Sequence, residues 1–267
     1  MKKFLGATFL ASTMLFNTAT TTAAPAQNKE TIYQVALLQS LTLGYFDGVI
    51  SVKDLKKQGD TGIGTFEGLN GEMIVLDGVV YRANENCEIN VMDNKDTVPF
   101  SNVTFFEKDF SFKLNDVADK ASLEKILNEY VYKHGQNYFY MIKIPAEFNE
   151  ILVRSERGQS EPYPTLVEAL KTQNEVTRQN ISGTIVGLYC PDFMSSLNST
   201  GWHFHFISDD KKFGGHVLGL NIKSGEAQFD KTENFRMGLP DKDNFKELNF
   251  NQDLKEDIRK AEQDSQR

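Results

Sequence analysis

The chain has 267 residues, of which 40% are hydrophobic and 25% charged, and its formal net charge at pH 7 is −8. This balance is typical of an ordinary globular protein with enough chain for one large core or two smaller ones. The acidic charge argues against nucleic acid as a partner, since phosphate binding requires a basic surface. Two cysteines, Cys87 and Cys190, are too few for a disulfide framework, and the sequence leaves open whether they pair.

Residues 1–26 have the order of a secretory signal peptide. Two lysines precede an apolar run from Phe4 to Phe16, and small residues follow through Ala26. The apolar run is too short and too rich in threonine to span a bilayer. We therefore expect cleavage between Ala23 and Gln27. The mature protein would then be exported, either periplasmic or secreted, and would not be attached to the membrane.

Residues 27–150 are predicted to form an N-terminal half that contains both helices and strands. Its beginning, residues 31–59, is expected to be largely helical, and Ser51 with an aspartate three residues later resembles a capping box. A β region with two tight turns is predicted next. The turns are predicted at Asn70 and Asp77 because each of these residues precedes a glycine. The strands predicted here are Thr61–Glu67, Glu72–Leu76, Val79–Arg82, Val103–Phe106 and Phe110–Phe112.

A helix is predicted from Ser122 to Lys133, where apolar residues recur at helical spacing. His134 follows it, and because a cation there suits the helix dipole we assign it a capping role and no chemistry. Residues 151–267 are predicted to form a C-terminal β-rich half that ends in a charged helix over residues 253–263. The predicted fold class is α+β, with two β-rich halves of mixed or antiparallel sheets and flanking helices.

Three of the four histidines lie in one short segment, at positions His203, His205 and His216. Alternation along a strand puts the first two on one face and two phenylalanines on the other. The polar run Ser208–Lys212 predicts a turn, after which the chain can pair back as a hairpin and bring His216 beside them. Three imidazoles on one pleated face suit a zinc-type ion with a fourth position open to water or substrate, the pattern of catalytic sites.

The alternative is that these histidines only fill hydrogen-bonded positions in a core. A single histidine on an apolar face usually does so, but three clustered imidazoles need a partner that offsets the cost of burial. The spacing therefore favours a zinc site on strands of the C-terminal half.

A series of short motifs occurs in a fixed order between about Gln34 and Glu262. They are Gly62–Phe66 with Leu69–Glu72, Asp77-Gly78 with Tyr81, Pro99-Phe100 with Val103–Phe106, Arg154 ahead of Glu161-Pro162-Tyr163, Gly183–Gly187, and Gly201–Ile207 with Gly214–Val217. In this order the motifs resemble those of the α-acetolactate decarboxylases. A lone His-x-His pair would not be enough to indicate this family.

The resemblance implies a zinc-dependent decarboxylation of 2-acetolactate to acetoin, in acetoin and butanediol formation. It implies a homodimer that acts on this small-molecule substrate. The implied zinc ligands are His203, His205 and His216, and the other implied active-site residues are Glu72, Arg154 and Glu262.

These residues suit the implied chemistry. A zinc chelated by the keto and hydroxyl oxygens of the substrate acts as a Lewis acid that stabilises the enediolate left by loss of carbon dioxide. Arg154 can hold a carboxylate with its planar fork. A glutamate must then deliver a proton to one face, which gives a single enantiomer, and burial must raise its pKa. How Glu72 and Glu262 divide this role is left open.

Two other functions are compatible with three histidines on strands. One is an exported zinc lyase or hydratase of carbonic-anhydrase-like chemistry, which would give Arg154 and Glu72 no task. The other is a non-catalytic metal-binding β module, which predicts no turnover. Apart from the resemblance, Glu72 fits a solvated hairpin residue, Arg154 a surface cation and Glu262 an exposed helix acid.

Overall fold

The computed structural model describes residues 29–195 and 197–262, so the predicted signal peptide lies outside the described residues. The strands are β1 Thr31–Val35, β2 Ile50–Ser51, β3 Thr61–Thr65, β4 Glu72–Leu76, β5 Val79–Ala83, β6 Ile89–Val91, β7 Thr97–Val98, β8 Phe100–Thr104, β9 Phe110–Val117, β10 Phe139–Ser155, β11 Asn174–Cys190, β12 Gly201–Ser208, β13 Gly214–Thr232 and β14 Asn234–Gly238. The helices are α1 Leu38–Thr42, α2 Val52–Leu55, α3 Lys120–His134, α4 Leu166–Leu170, α5 Asp243–Lys246 and α6 Lys255–Glu262. None of these helices combines the length and the apolar character that a bilayer span requires.

The first sheet has seven strands in the order β14-β1-β8-β3-β4-β5-β6. Its neighbours are antiparallel except β1 and β14, which run parallel and pair Thr31 with Asn234. The β4–β5 hairpin turns at Asp77 and Gly78, whose φ angles of 50° and 80° are those of a two-residue turn that matches strand twist. This hairpin is the one that the sequence predicts, and it fixes Glu72 at the start of β4.

The second sheet has five strands in the order β10-β11-β12-β13-β9, and β10 also pairs with β13. Strands β10 to β13 therefore close on themselves. The predicted division at residue 150 stays a prediction; β10 runs through that position, and β14 joins the sheet of the first half.

Strand β12 separates two parts of the core. Trp202, Phe204 and Phe206 point into the cluster enclosed by the second sheet and α3, where each aromatic ring buries roughly 150–250 Å². Ile207, which has the same parity as His203 and His205, packs instead in the cluster between the two sheets. The histidine face of β12 is thus directed at the first sheet, because alternate residues of a strand lie on opposite faces.

Several predictions about local structure are settled by these elements. The α+β class is confirmed, and so is the turn and return from β12 to β13. His134 ends α3, where its Nδ1 lies 2.8 Å from the carbonyl oxygen of Tyr130. Cys87 and Cys190 are both free and buried, in different core clusters, so they do not pair.

The prediction that residues 31–59 are largely helical is wrong. The segment contains β1 and β2, and its two helices, α1 and α2, are one turn each. Strand β1 forms because it pairs with β8 and β14, and Gln34 within it donates from Nε2 to the carbonyls of Ala36 at 2.7 Å and Leu197 at 3.0 Å. The second contact comes from far along the chain, and tertiary contacts of this kind override local helical spacing.

Candidate metal centre

The three histidines converge at one point between the sheets. His205 on β12 and His216 on β13 are paired in the ladder. The Nε2 atom of His203 lies 3.1 Å from Nε2 of His205 and 3.0 Å from Nδ1 of His216. Nitrogen atoms of the three rings all lie within 4.8 Å of one another, so together they could hold a metal ion.

Backbone carbonyls set the orientation of two of the rings. Nδ1 of His205 donates to the carbonyl oxygen of Met73 at 2.8 Å, and Nε2 of His216 donates to that of Glu262 at 3.1 Å. A carbonyl oxygen only accepts, so each of these nitrogens carries the proton and the other ring nitrogen presents its lone pair to the cluster. This is the arrangement in which a second hydrogen bond orients a metal-binding histidine.

Burial keeps the imidazoles neutral. His205 and His216 are each 1% exposed. Burial lowers the pKa of His203 to about 3 and lowers the pKa of both other histidines well below the usual range. Each is therefore in the form that binds a cation at neutral pH.

Glu72 enters the site from the first sheet. It is 5% exposed, and its Oε2 lies 3.3 Å from Nε2 of His205. Its Oε1 lies 3.9 Å from Nε of Arg154 and has no hydrogen-bond partner among the described residues. Burial, and next the carboxyl of Glu156, raise the pKa of Glu72 well above its ordinary value, while Arg154 acts in the opposite direction. Glu72 is therefore not the solvated hairpin residue of the alternative interpretation.

Arg154 stands at the end of β10, directly across the ladder from His216. Its side chain is 4% exposed, so it is not a surface cation. Two buried carboxyls flank it, Glu72 at 3.9 Å and Glu156 at 4.0 Å. Both distances exceed that of a hydrogen bond, so the guanidinium is close to two carboxyls but hydrogen-bonded to neither.

Glu262 reaches the site from the C-terminal helix α6. It is 7% exposed, and its Oε2 lies 3.3 Å from Nε2 of His203. Burial raises the pKa of its carboxyl. The helix is held by Leu254 and Ile258, whose apolar side chains pack into a cluster with α1 and α4. The neighbouring acid Glu256 is exposed and pairs with a helix arginine, so only Glu262 of these two faces the histidines.

The side chains around the histidines leave a small cavity. It has about 20 Å³ of space for water-sized groups, which is room for about one water molecule. The apolar walls are Leu41, Leu69, Phe100 and Leu166, and the polar walls are Thr65, Glu72, Arg154, Glu156, His203, His216 and Glu262. The cavity is therefore small and its charged groups are buried, which strengthens the electrostatic interactions between them.

Two functional candidates in the cavity region were not predicted from the sequence. Glu156 is 3% exposed, and one of its carboxyl oxygens has no partner among the described residues. Its position two residues after Arg154 is a signal that could have identified it, because residues i and i+2 of an extended chain share a face. No comparable spacing in the sequence points to Gln173, because it lies in the short connection between α4 and β11.

Comparisons with known proteins agree with this site. The family model of alpha-acetolactate decarboxylase matches residues 32–252. That range is most of the chain. The chain belongs to the alpha-acetolactate decarboxylase family.

Individual members of the alpha-acetolactate decarboxylase family resemble the chain over most of its length. The relative of that name from Methanosarcina mazei is 39% identical over 233 residues, covering 87% of this chain and 80% of the relative. The one from Bacillus subtilis is 34% identical over 86% of this chain and 90% of its own. The crystal structure of alpha-acetolactate decarboxylase from Bacillus subtilis has a TM-score of 0.85 at 33% identity, and covers 88% of this chain and 100% of that chain.

These matches confirm the predicted family and the predicted enzyme class, a decarboxylase. The matched range of the family model contains Glu72, Arg154 and the three histidines, and it ends before α6 begins. The active-site roles predicted for Glu72, Arg154 and Glu262 stay predictions, although all three side chains lie around one cavity.

Proposed function

We propose that this chain converts 2-acetolactate to acetoin by a zinc-dependent decarboxylation, as a step of acetoin and butanediol formation. The observation that carries the proposal is a cluster of three neutral imidazoles beside a small cavity that is also lined by one guanidinium and three buried carboxyls. Membership of the alpha-acetolactate decarboxylase family supports the same substrate.

Zinc fits the donor set. His203, His205 and His216 would hold it through three neutral ring nitrogens, which is the ligand type that zinc prefers. The facing nitrogens lie 3.1 Å apart between His203 and His205 and 3.0 Å apart between His203 and His216, so the three rings are close enough to share one small cation. When bound, zinc would supply a Lewis acid that favours negative charge on the keto oxygen of the substrate.

The remaining side chains supply binding and proton transfer. Arg154 binds the substrate carboxylate through its guanidinium fork. Loss of carbon dioxide leaves the electron pair of the broken C–C bond on the carbon that carried the carboxylate, where it is shared with the neighbouring keto group, and one proton must be delivered to that carbon. Glu72 and Glu262 are the donors within reach, because each lies 3.3 Å from a histidine of the cluster. A proton that arrives from one fixed side gives one enantiomer of acetoin.

A direct assay tests the proposal. Purified protein is incubated with racemic 2-acetolactate, and acetoin is measured before and after treatment with a chelator and after zinc is restored. We expect turnover that the chelator abolishes and zinc restores. Absence of acetoin from zinc-loaded protein would refute the proposed activity, and carbon dioxide hydration without acetoin would favour the hydratase.

We also propose that the mature protein is exported after cleavage between Ala23 and Gln27. The proposal is supported by the charged, apolar and small-residue order of the leader. N-terminal sequencing of extracytoplasmic material tests it, and an intact Met1 terminus in the cytosol would refute it. The homodimer stays a prediction that light scattering of the purified protein can check.

A further inference from the structure

The three nitrogens of the Arg154 guanidinium have different surroundings. Nη1 donates to Oε1 of Gln173 at 2.8 Å, which is a strong hydrogen bond. Nε is buried and has no hydrogen-bond partner among the described residues. The nearest carboxyl oxygens to Nε and Nη2, from Glu72 and Glu156, lie at 3.9 Å and 4.0 Å. One corner of the guanidinium is therefore anchored, and on its Nε–Nη2 edge the Nε donor is unsatisfied.

The Nε–Nη2 edge lies on the side of Arg154 that faces Glu72 and Glu156. Arg154, Glu72 and Glu156 all line the active-site cavity. A guanidinium edge with two parallel N–H groups matches a carboxylate in a bidentate arrangement. A buried donor without a partner is costly, so this edge is built to receive an acceptor from a ligand.

The anchor is itself held in one orientation. Nε2 of Gln173 donates to Oε1 of Glu175 at 3.1 Å. Because a carboxylate oxygen only accepts, this contact fixes which end of the amide is the NH₂ group and turns its oxygen toward Arg154. Glu175 is in turn the ladder partner of Arg154 on β11. The chain thus forms a relay from Glu175 through Gln173 to Nη1.

We propose that Gln173 is a positioning residue that aims the Nε–Nη2 edge of Arg154 at the carboxylate of the substrate. The bond at Nη1 removes the freedom of a long side chain that water cannot reach. Gln173 does not touch the reacting atoms; it acts through Arg154. The inference rests on the proposed function only for the identity of the carboxylate that Arg154 receives.

A double-mutant cycle tests the proposal. The variants are Gln173→Leu, Arg154→Lys and the two combined, all loaded with zinc and checked for metal content and melting temperature. Gln179→Leu is the matched control, because Gln179 is an exposed glutamine on the nearby strand β11 whose side chain donates to Glu150 at 3.4 Å. If Gln173→Leu folds poorly, Gln173→Met takes its place, since it keeps the length of the side chain.

We expect Gln173→Leu to lower kcat/KM by about ten- to a hundredfold, the range for losing one hydrogen bond to a charged group. The rise in KM should carry most of the loss, because the carboxylate is bound before it leaves. In the Arg154→Lys background the same substitution should cost less than about twofold, since a lysine at 154 has no fork to aim. An unchanged kcat/KM in Gln173→Leu, or an equal loss in both backgrounds, would overturn the proposal.

A binding measurement separates this inference from the proposed activity. The probe is 2-hydroxy-2-methylbutanoate, a carboxylate that lacks the ketone and so cannot lose carbon dioxide in this way; its affinity is measured by calorimetry. If the wild-type protein binds the probe, loses affinity on Gln173→Leu and makes no acetoin, the inference stands and the proposed function fails. If acetoin is made and probe affinity is the same in Gln173→Leu, the inference fails alone.

Discussion

Two buried carboxyls face the histidine cluster, and each is predicted to be required for turnover. Glu262→Gln keeps the shape of the side chain and removes the acid. Glu262 is 7% exposed and lies 3.3 Å from His203, which matches the burial and spacing of Glu72 beside His205. General acid–base catalysis contributes about 10²–10⁴-fold to rate, or about 3–5 kcal/mol of activation free energy. We therefore expect kcat to fall by about two or more orders of magnitude in Glu262→Gln and in Glu72→Gln.

Steady-state kinetics with parallel metal analysis checks this prediction. Zinc should be retained in Glu262→Gln, because His216 bonds the backbone carbonyl of residue 262, which the substitution leaves in place. The matched control is Glu256→Gln on the same helix, whose exposed carboxylate pairs with Arg259 and should be dispensable. Full activity of Glu262→Gln with zinc bound would refute its role as a proton donor, and full activity of Glu72→Gln would refute that of Glu72.

Three further predictions concern the cation, the metal and pH. Arg154→Lys should lower kcat/KM by about tenfold or more, because an ammonium cannot reproduce the fork, and unchanged kinetics would contradict this. His205→Ala should reduce zinc from one per chain toward none by metal analysis, and an unchanged ratio would disprove the site. Burial raises the pKa of Asp230 from 3.8 to about 8, so its protonated carboxyl contributes stability that is full below pH 3.8 and is lost as pH rises to 8. Asp230→Asn should therefore gain in melting temperature over the wild type between about pH 4 and pH 8 and stay level above, whereas a pH-independent difference would contradict the assignment.

The histidine hairpin could be predicted because its information is local. Alternation in β12 and a polar turn were sufficient to place His216 beside His205, and the ladder pairs these two residues. The positions of Glu72 and Arg154 could not be derived in this way. Their burial depends on how the first sheet packs against the second, and no local spacing encodes that packing, so only the family resemblance indicated them.

Contacts distant in sequence account for what was missed. Gln34 appears polar and helix-compatible, yet it is fully buried in β1 because carbonyls and the amide of Asn198 surround it. Gln173 occupies a connection of three residues between α4 and β11, where no periodicity exists to interpret. Its partner Arg154 lies on β10, so the pair becomes visible only when the pairing of β10 with β11 is known.

The hydrogen bond from His205 to the carbonyl of Met73 crosses from the second sheet to the first. The tautomer of a candidate metal ligand is thus set by a hydrogen bond from the opposite sheet. The rate of metal loss should therefore report how well the two sheets are aligned. Small truncations between the sheets, such as Ile74→Val or Ile207→Val, should speed zinc loss to a chelator before they lower the melting temperature noticeably. Dialysis against a chelator would then distinguish such variants better than calorimetry. Selection for slow zinc release would accordingly be a better route to a stable enzyme than selection for a high melting temperature.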